Sequence, residues 1–165
     1  MGSDCAHDHH LQGGLAEPEL ARALDHTQTE LAARGERLTA PRRRVLELLL
    51  ATGQPIKAYD LIADFGNDGR AAKPPTVYRA LEFLERTGLV HRIASISAYV
   101  ACSHGDADHV AAFLICDCCG ETRELAPPDV APLLGSAAGE GYRIGRITVE
   151  AHGLCPDCQE PATNA

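Results

Sequence analysis

The stretch Lys73-Pro74-Pro75-Thr76-Val77-Tyr78-Arg79-Ala80-Leu81-Glu82-Phe83-Leu84 decides the fold. After the Lys-Pro-Pro run, Val77, Leu81 and Leu84 recur at i, i+4 and i+7, which puts three apolar side chains on one helical stripe. Gly88 stands in the terminating position, so a helix is expected from Thr76 to Thr87. Thr76, Tyr78 and Arg79 fall in its first turns, where a recognition helix presents side chains to base edges and an arginine can read guanine with two hydrogen bonds.

Upstream, three more helices are expected. The first starts at Pro18, with Leu20, Leu24 and Leu31 near one face and Gly35 as its stop. The second follows Thr39 as N-cap, with Pro41 just inside and Val45, Leu46, Leu48 and Leu49 before Gly53. The third covers Ala58–Phe65 and closes at Gly66. Downstream, Leu89–Ala94 and Tyr99–Cys102 read as two short strands around Ser95-Ile96-Ser97. Three helices followed by a β-hairpin is the order of a winged helix-turn-helix.

Beyond a polar turn at His104–Asp108 the texture changes. Val110–Cys116 and Glu121–Leu125 read as strands, Pro128 opens a helix carrying Val130, Leu133 and Leu134, and Tyr142–Glu150 alternates like a final strand. This second half has too little core to stand comfortably alone, so metal or dimerisation should support it. The expected class is α+β: an N-terminal winged helix-turn-helix domain over 18–102, a hinge at 103–109 and a small α/β dimerisation domain over 110–158. Polar tails at 1–17 and 159–165 flank them. Cys5, His7, His9 and His10 could bind metal, but nothing in the tail fixes their geometry.

The chain has 165 residues and a formal net charge of −8 at pH 7, at first sight a poor match to DNA. The charge is uneven. Residues 36–93 carry ten basic and seven acidic side chains, whereas residues 94–165 carry three and ten. A basic block between acidic flanks is compatible with local DNA contact. No apolar run approaches the roughly 18–20 residues of a membrane span, and no signal peptide is visible, so a soluble cytoplasmic protein is expected.

Six of the seven cysteines lie between Cys102 and Cys158. Cytoplasmic thiols stay reduced, so clustered cysteines point first to metal. The strongest signal is a pair of Cys-x-x-Cys motifs, Cys116/Cys119 and Cys155/Cys158. Two residues between thiols let both sulfurs of a tight turn face one point, and two such turns supply the four thiolates of a closed, structural Zn²⁺ site. A redox motif is the competing reading, but two thioredoxin-like motifs come here without a thioredoxin pattern. Cys118, inside the first turn, reads as a spare thiol. A second set, His91, Cys102, His104, His109, Glu124 and His152, is individually weak and gains from position: His91 and Cys102 lie on the two wing strands and His109 begins the next strand. A metal there would tie the two halves together.

Residues 73–84, Gly-Leu-Val-His-Arg (88–92), Tyr-Val-Ala-Cys (99–102), Phe-Leu-Ile-Cys-Asp-Cys-Cys-Gly (113–120) and Glu-Ala-His-Gly-Leu-Cys-Pro-Asp-Cys (150–158) together resemble the ferric uptake regulator family, most of all its zinc-sensing branch. The match runs from about Leu38 to Cys158. The resemblance implies a homodimeric repressor of zinc-uptake genes that binds an AT-rich inverted repeat. It also implies about two Zn²⁺ per chain: a structural site of Cys116, Cys119, Cys155 and Cys158, and a regulatory site of His91, Cys102, His109 and Glu124 at the hinge. Tyr59 and Arg79 match base-contacting positions, with Tyr78 beside them. One soft thiolate among imidazoles and a carboxylate suits Zn²⁺ better than Fe²⁺ or Mn²⁺, so Cys102 argues against the iron-, manganese- and peroxide-sensing siblings. His104 could compete as a ligand, and His152 has its simplest role in a hydrogen bond near the zinc turn. The other rivals are a zinc enzyme and a zinc-storage protein. No His-Glu-x-x-His or Gly-x-Ser-x-Gly motif supports the first, and a storage protein would have little use for Tyr59, Tyr78 and Arg79.

Overall fold

Apolar side chains at helical spacing set the first helix, α1 (Glu19–Ala33), which buries Leu20, Leu24, Thr27 and Leu31 on one stripe. The computed structural model describes residues 14–66, 73–102, 110–126, 129–144 and 147–159. These fall into two compact units, 14–102 and 110–159. Of the expected tail at 1–17, residues 1–13 lie outside the described residues, as do the hinge at 103–109, Pro128 and the chain after Gln159. The remainder corrects the expectation, because the Leu15 N–H bonds the Leu50 carbonyl at 2.8 Å and its side chain packs against the first unit's core. No helix among the described residues is long and apolar enough to cross a membrane.

In the first unit, α2 (Ala40–Thr52) follows an extended Thr39, carries proline in its first turn and buries Val45, Leu46 and Leu49. A two-residue strand, β1 (Ile56–Lys57), leads directly into α3 (Ala58–Phe65), whose Leu61 is fully buried. The fourth helix, α4 (Pro74–Arg86), begins two residues before the expected Thr76. Pro74 and Pro75 belong to its first turn, where the missing N–H groups have no intrahelical acceptor to lose. Val77, Ala80, Leu81, Phe83 and Leu84 are buried. The helix closes where Gly88 adopts φ 75° and the Leu89 N–H reaches the Leu84 carbonyl at 2.9 Å. A side chain in that left-handed conformation would be strained, so glycine suits the position.

The wing is the antiparallel hairpin of β2 (Val90–Ile93) and β3 (Ala98–Ala101), with Val90 opposite Ala101 and His91 opposite Val100. β1 adds to the free edge of β3, giving the order β1-β3-β2. Helices α1, α3 and α4 all pack on α2, and their buried faces form one core with Val90. Two guanidiniums approach the Phe83 ring, Arg42 at 3.4 Å and Arg86 at 5.2 Å from its centroid. Arg86 also pairs with Glu36 at 2.9 Å, and that hydrogen bond holds the Glu36 carboxyl below its ordinary pKa.

The second unit is a three-stranded sheet in the order β5-β4-β6. β4 (Ala111–Cys116) pairs antiparallel with β5 (Thr122–Leu125) and parallel with β6 (Thr148–Gly153). Between β5 and β6 lies α5 (Ala131–Gly139), and a short α6 (Pro156–Gln159) follows. The final strand corrects the expected Tyr142–Glu150. The Tyr142 N–H is used to close α5, donating to the Ala137 carbonyl at 2.9 Å, and pairing with β4 carries the strand on through His152.

The apolar stripe of α4 packs on α2 and closes the first unit's core. Leu84→Ala, at a site with no solvent exposure, is expected to destabilise this unit by about 2–5 kcal/mol, read as a lower midpoint in urea denaturation. A loss under about 0.5 kcal/mol would contradict the packing described.

Candidate metal centre and nucleic-acid interface

Two tight turns build the cysteine cluster. β4 ends at Cys116, and the chain folds back so that the Gly120 N–H meets the Cys116 carbonyl at 2.9 Å, with Gly120 at φ 79°. On the other side, β6 runs parallel to β4 with Gly153 opposite Cys116, and the Asp117 N–H bonds the Gly153 carbonyl at 2.8 Å. Leu154 and Cys155 follow at once, and the Cys158 N–H closes the second turn on the Cys155 carbonyl at 3.0 Å. The sheet therefore cancels the long separation in sequence between the two motifs.

The sulfurs of Cys116, Cys119, Cys155 and Cys158 all lie within 4.8 Å of one another. Cys119 and Cys155 are 3.8 Å apart. A tetrahedron of thiolates about 2.3 Å from a zinc ion has an edge of about 3.8 Å. Backbone amides face the sulfurs: the Cys155 N–H donates to Cys116 at 3.3 Å and the Glu121 N–H to Cys119 at 3.5 Å. Burial pushes the Cys116 thiol up, but amides of Cys119, Cys155 and Cys118 outweigh it and bring its pKa down to about 6. Cys155 and Cys158 are raised, first by burial and then by the neighbouring sulfurs. The backbone thus favours the thiolate at Cys116. A closed set of four sulfurs fits Zn²⁺, which accepts tetrahedral thiolate coordination with no open position.

Two neighbours complete this centre. His152 meets Asp117 at 3.0 Å, so its hydrogen bond lies beside the first cysteine turn as expected. Asp117 was not singled out by the sequence, because its role depends on the parallel register of β4 and β6. Cys118 does not join the four sulfurs.

The second expected set is divided among the described residues. His91 lies on β2, and Cys102 follows β3 with its N–H on the Leu89 carbonyl at 2.9 Å. This register sets both side chains on one face of the wing, with a ring nitrogen of His91 and the sulfur of Cys102 within 4.8 Å. Both residues are half-buried. Glu124 belongs to the second unit, on β5 opposite Phe113, and is half-buried too. His104 and His109 lie outside the described residues.

For DNA, α4 is two-sided. Its apolar stripe is buried while Tyr78, at 50% exposure, and Arg79 face solvent. Tyr59, second residue of α3, is 79% exposed, an unusual waste of an aromatic ring unless a partner covers it.

The sequence profile of the ferric uptake regulator family matches residues 33–152. The zinc uptake regulation protein of Escherichia coli K12 is 40% identical over 131 residues, covering 78% of this chain and 77% of that one. The zinc uptake regulation protein of Mycobacterium tuberculosis H37Rv is 29% identical over 133 residues, 78% of this chain and 99% of its own. Among solved structures, a zinc uptake regulator complexed with zinc and DNA superposes with a TM-score of 0.78 at 37% identity, over 86% of this chain and 96% of that one. Holo XcZur superposes at 0.73 with 41% identity, over 83% and 96%. With a winged helix, a paired-cysteine sheet and a family match across most of its length, this chain belongs to the ferric uptake regulator family.

Proposed function

We propose that this protein is a zinc-responsive DNA-binding transcriptional repressor of zinc-uptake genes, acting in the cytoplasm as a homodimer on an AT-rich inverted repeat. The observation that carries the reading is the His91–Cys102 pair on the wing. It puts a soft metal-binding pair in the same unit as the exposed face of α4, so metal and DNA can act on one body. Relatives of similar sequence are named for zinc uptake regulation, and one of similar structure was solved with zinc and DNA.

Each chain would hold about two zinc ions. Cys116, Cys119, Cys155 and Cys158 form the structural site, where bound metal supplies the cross-link that the second unit's small core lacks. His91 and Cys102, completed by His109 and Glu124 across the hinge, form the regulatory site. The thiolate of Cys102 and the imidazoles favour zinc over harder divalent ions. If the binding-competent arrangement is a minor population without zinc, apparent DNA affinity falls by that fraction. Tyr59, Tyr78 and Arg79 would meet the bases.

A dimer is supported by the second unit's sheet. Leu114, Leu125 and Val149 share one face through the β5-β4-β6 register, each between 38% and 44% exposed in the single chain. Such an apolar face calls for a partner, and a second copy has the same face to offer.

The primary test is fluorescence anisotropy on inverted repeats from zinc-import promoters, with free zinc buffered and iron and manganese run in parallel. Binding is expected with zinc alone; equal binding with iron or manganese would move the chain to a sibling branch. Cys102→Ser is expected to weaken zinc-dependent binding at least about tenfold, the worth of one good charged contact, while dimer and structural zinc persist. An unaltered zinc response would remove Cys102 from the site.

Two further variants probe the second unit. Cys158→Ser is expected to lower zinc content by one ion per chain, measured by metal analysis after dialysis, and to lower the melting temperature; full retention of zinc would refute the four-thiolate site. Leu114→Asp is expected to shift the protein from dimer to monomer by light scattering, and an unchanged mass would place the dimer contact elsewhere.

A further inference from the structure

Between the first turns of α2 and α4 lies a cavity of about 230 Å³ lined by Thr39, Pro41, Arg42, Thr76, Arg79 and Ala80. Its chemistry is one-sided. Two guanidiniums and two hydroxyls line it, and no carboxylate does.

The donors are unevenly committed. Arg42 is held in place by the Phe83 ring beneath it and by a 2.6 Å hydrogen bond to the Arg37 carbonyl. That leaves the other N–H groups of its fork directed by structure rather than swinging in solvent. Arg79 has no hydrogen-bond or ion-pair partner among the described residues. Thr39 stands at the N-cap of α2, yet its hydroxyl makes no capping bond. The amides divide as well. α4 offers none at its start, since Pro74 and Pro75 lack the N–H and that of Thr76 bonds the Lys73 carbonyl at 2.8 Å. α2 offers the amide of Arg42, which lies in the first turn and has no acceptor within the helix. The positive ends of both helix dipoles add to the two guanidinium charges.

A compact anion rich in acceptors and poor in donors matches this set. The cavity adjoins the exposed turn of α4 that carries Tyr78 and Arg79, so the anion belongs to the same ligand as the bases. We propose that the cavity seats one backbone phosphate of each operator half-site, with Arg42 and Thr39 as its donors from α2. Arg79, one turn into α4, closes the seat and keeps donors for the neighbouring base edge. The inference rests on the DNA-binding reading above and adds a positioning role. One phosphate gripped between the starts of two helices sets the depth and register of α4 in the groove, without itself reading sequence.

The test uses the full-length, zinc-loaded protein on an operator duplex and on a scrambled duplex of equal length, between 50 and 200 mM salt. Arg42→Met is expected to weaken both duplexes by a similar factor, about tenfold. The slope of log affinity against log salt should become shallower by about 0.9 per cavity, or about 1.8 for a dimer. Because Arg42 also stacks on Phe83, Thr39→Val serves as the second variant. It is expected to weaken both duplexes about threefold with the salt slope unchanged, since a hydroxyl carries no charge. A scan of neutral methylphosphonate linkages should find one position per half-site that costs the wild type about tenfold and costs Arg42→Met clearly less, since Thr39 and Arg79 remain. An unchanged salt slope in Arg42→Met, a loss confined to the operator, or a scan penalty as large in the variant as in the wild type would overturn the seat alone. Wild-type protein that binds neither duplex with zinc would overturn the DNA-binding reading and the seat with it.

Discussion

The second unit depends on the parallel pairing of β4 with β6. Two cysteine turns separated by most of a domain in sequence become neighbours only because Cys116 lies opposite Gly153 and the Asp117 amide meets the Gly153 carbonyl. A slip of one residue would turn Cys116 to the opposite face of the sheet. Little else in this unit would restore the register. Among the described residues its buried side chains are Ala111, Ala112, Phe113, Ile115 and Cys116, all on β4. Sheet and thiol cluster therefore specify each other. The register gathers the sulfurs, and whatever binds the sulfurs pins the register.

The thiol chemistry fits a cation as the pinning agent. Backbone amides lower the Cys116 pKa to about 6, so one thiolate is ready near neutral pH. Burial first, and then the neighbouring sulfurs, raise Cys155 and Cys158. Four thiolates so close together repel one another unless a divalent charge lies among them, which inverts the balance and leaves every sulfur deprotonated. A divalent ion held there would make folding of this unit and metal binding one equilibrium, as in other small domains whose core is too slight to fold alone.

Legibility in the sequence followed the range of the interaction. The third helix was read at its observed bounds, because Ala58–Phe65 is set by local signals between Lys57 and Gly66. The recognition helix was read two residues short, since a double proline looks like an interruption until it is placed in a first turn. β1 carries only two residues and no periodicity, so only its pairing with β3 defines it. The last strand was misplaced because Tyr142 and Ile144 alternate like a strand while Tyr142 serves the end of α5. In the site, the four cysteines were legible from spacing alone, and His91 with Cys102 from the hairpin that brings them together. Asp117 and the α2–α4 cavity were not, because each arises where elements distant in sequence meet.

The net charge of −8 remains to be reconciled with a polyanionic ligand. Screening resolves it, since at physiological salt a charge acts over about 8 Å. What a phosphate meets is thus the local set, and around the starts of α2 and α4 that set is cationic. The second unit carries most of the acid of residues 94–165, whereas the basic block 36–93 lies in the first. α4 is the element that exploits the contrast. One side of it completes an apolar core with Val77, Leu81 and Leu84, and Phe83 serves as a platform for Arg42. A cation stacked on a ring that is itself part of the core cannot drift without disturbing the packing. The helix that holds the fold together therefore also fixes where the positive charge stands.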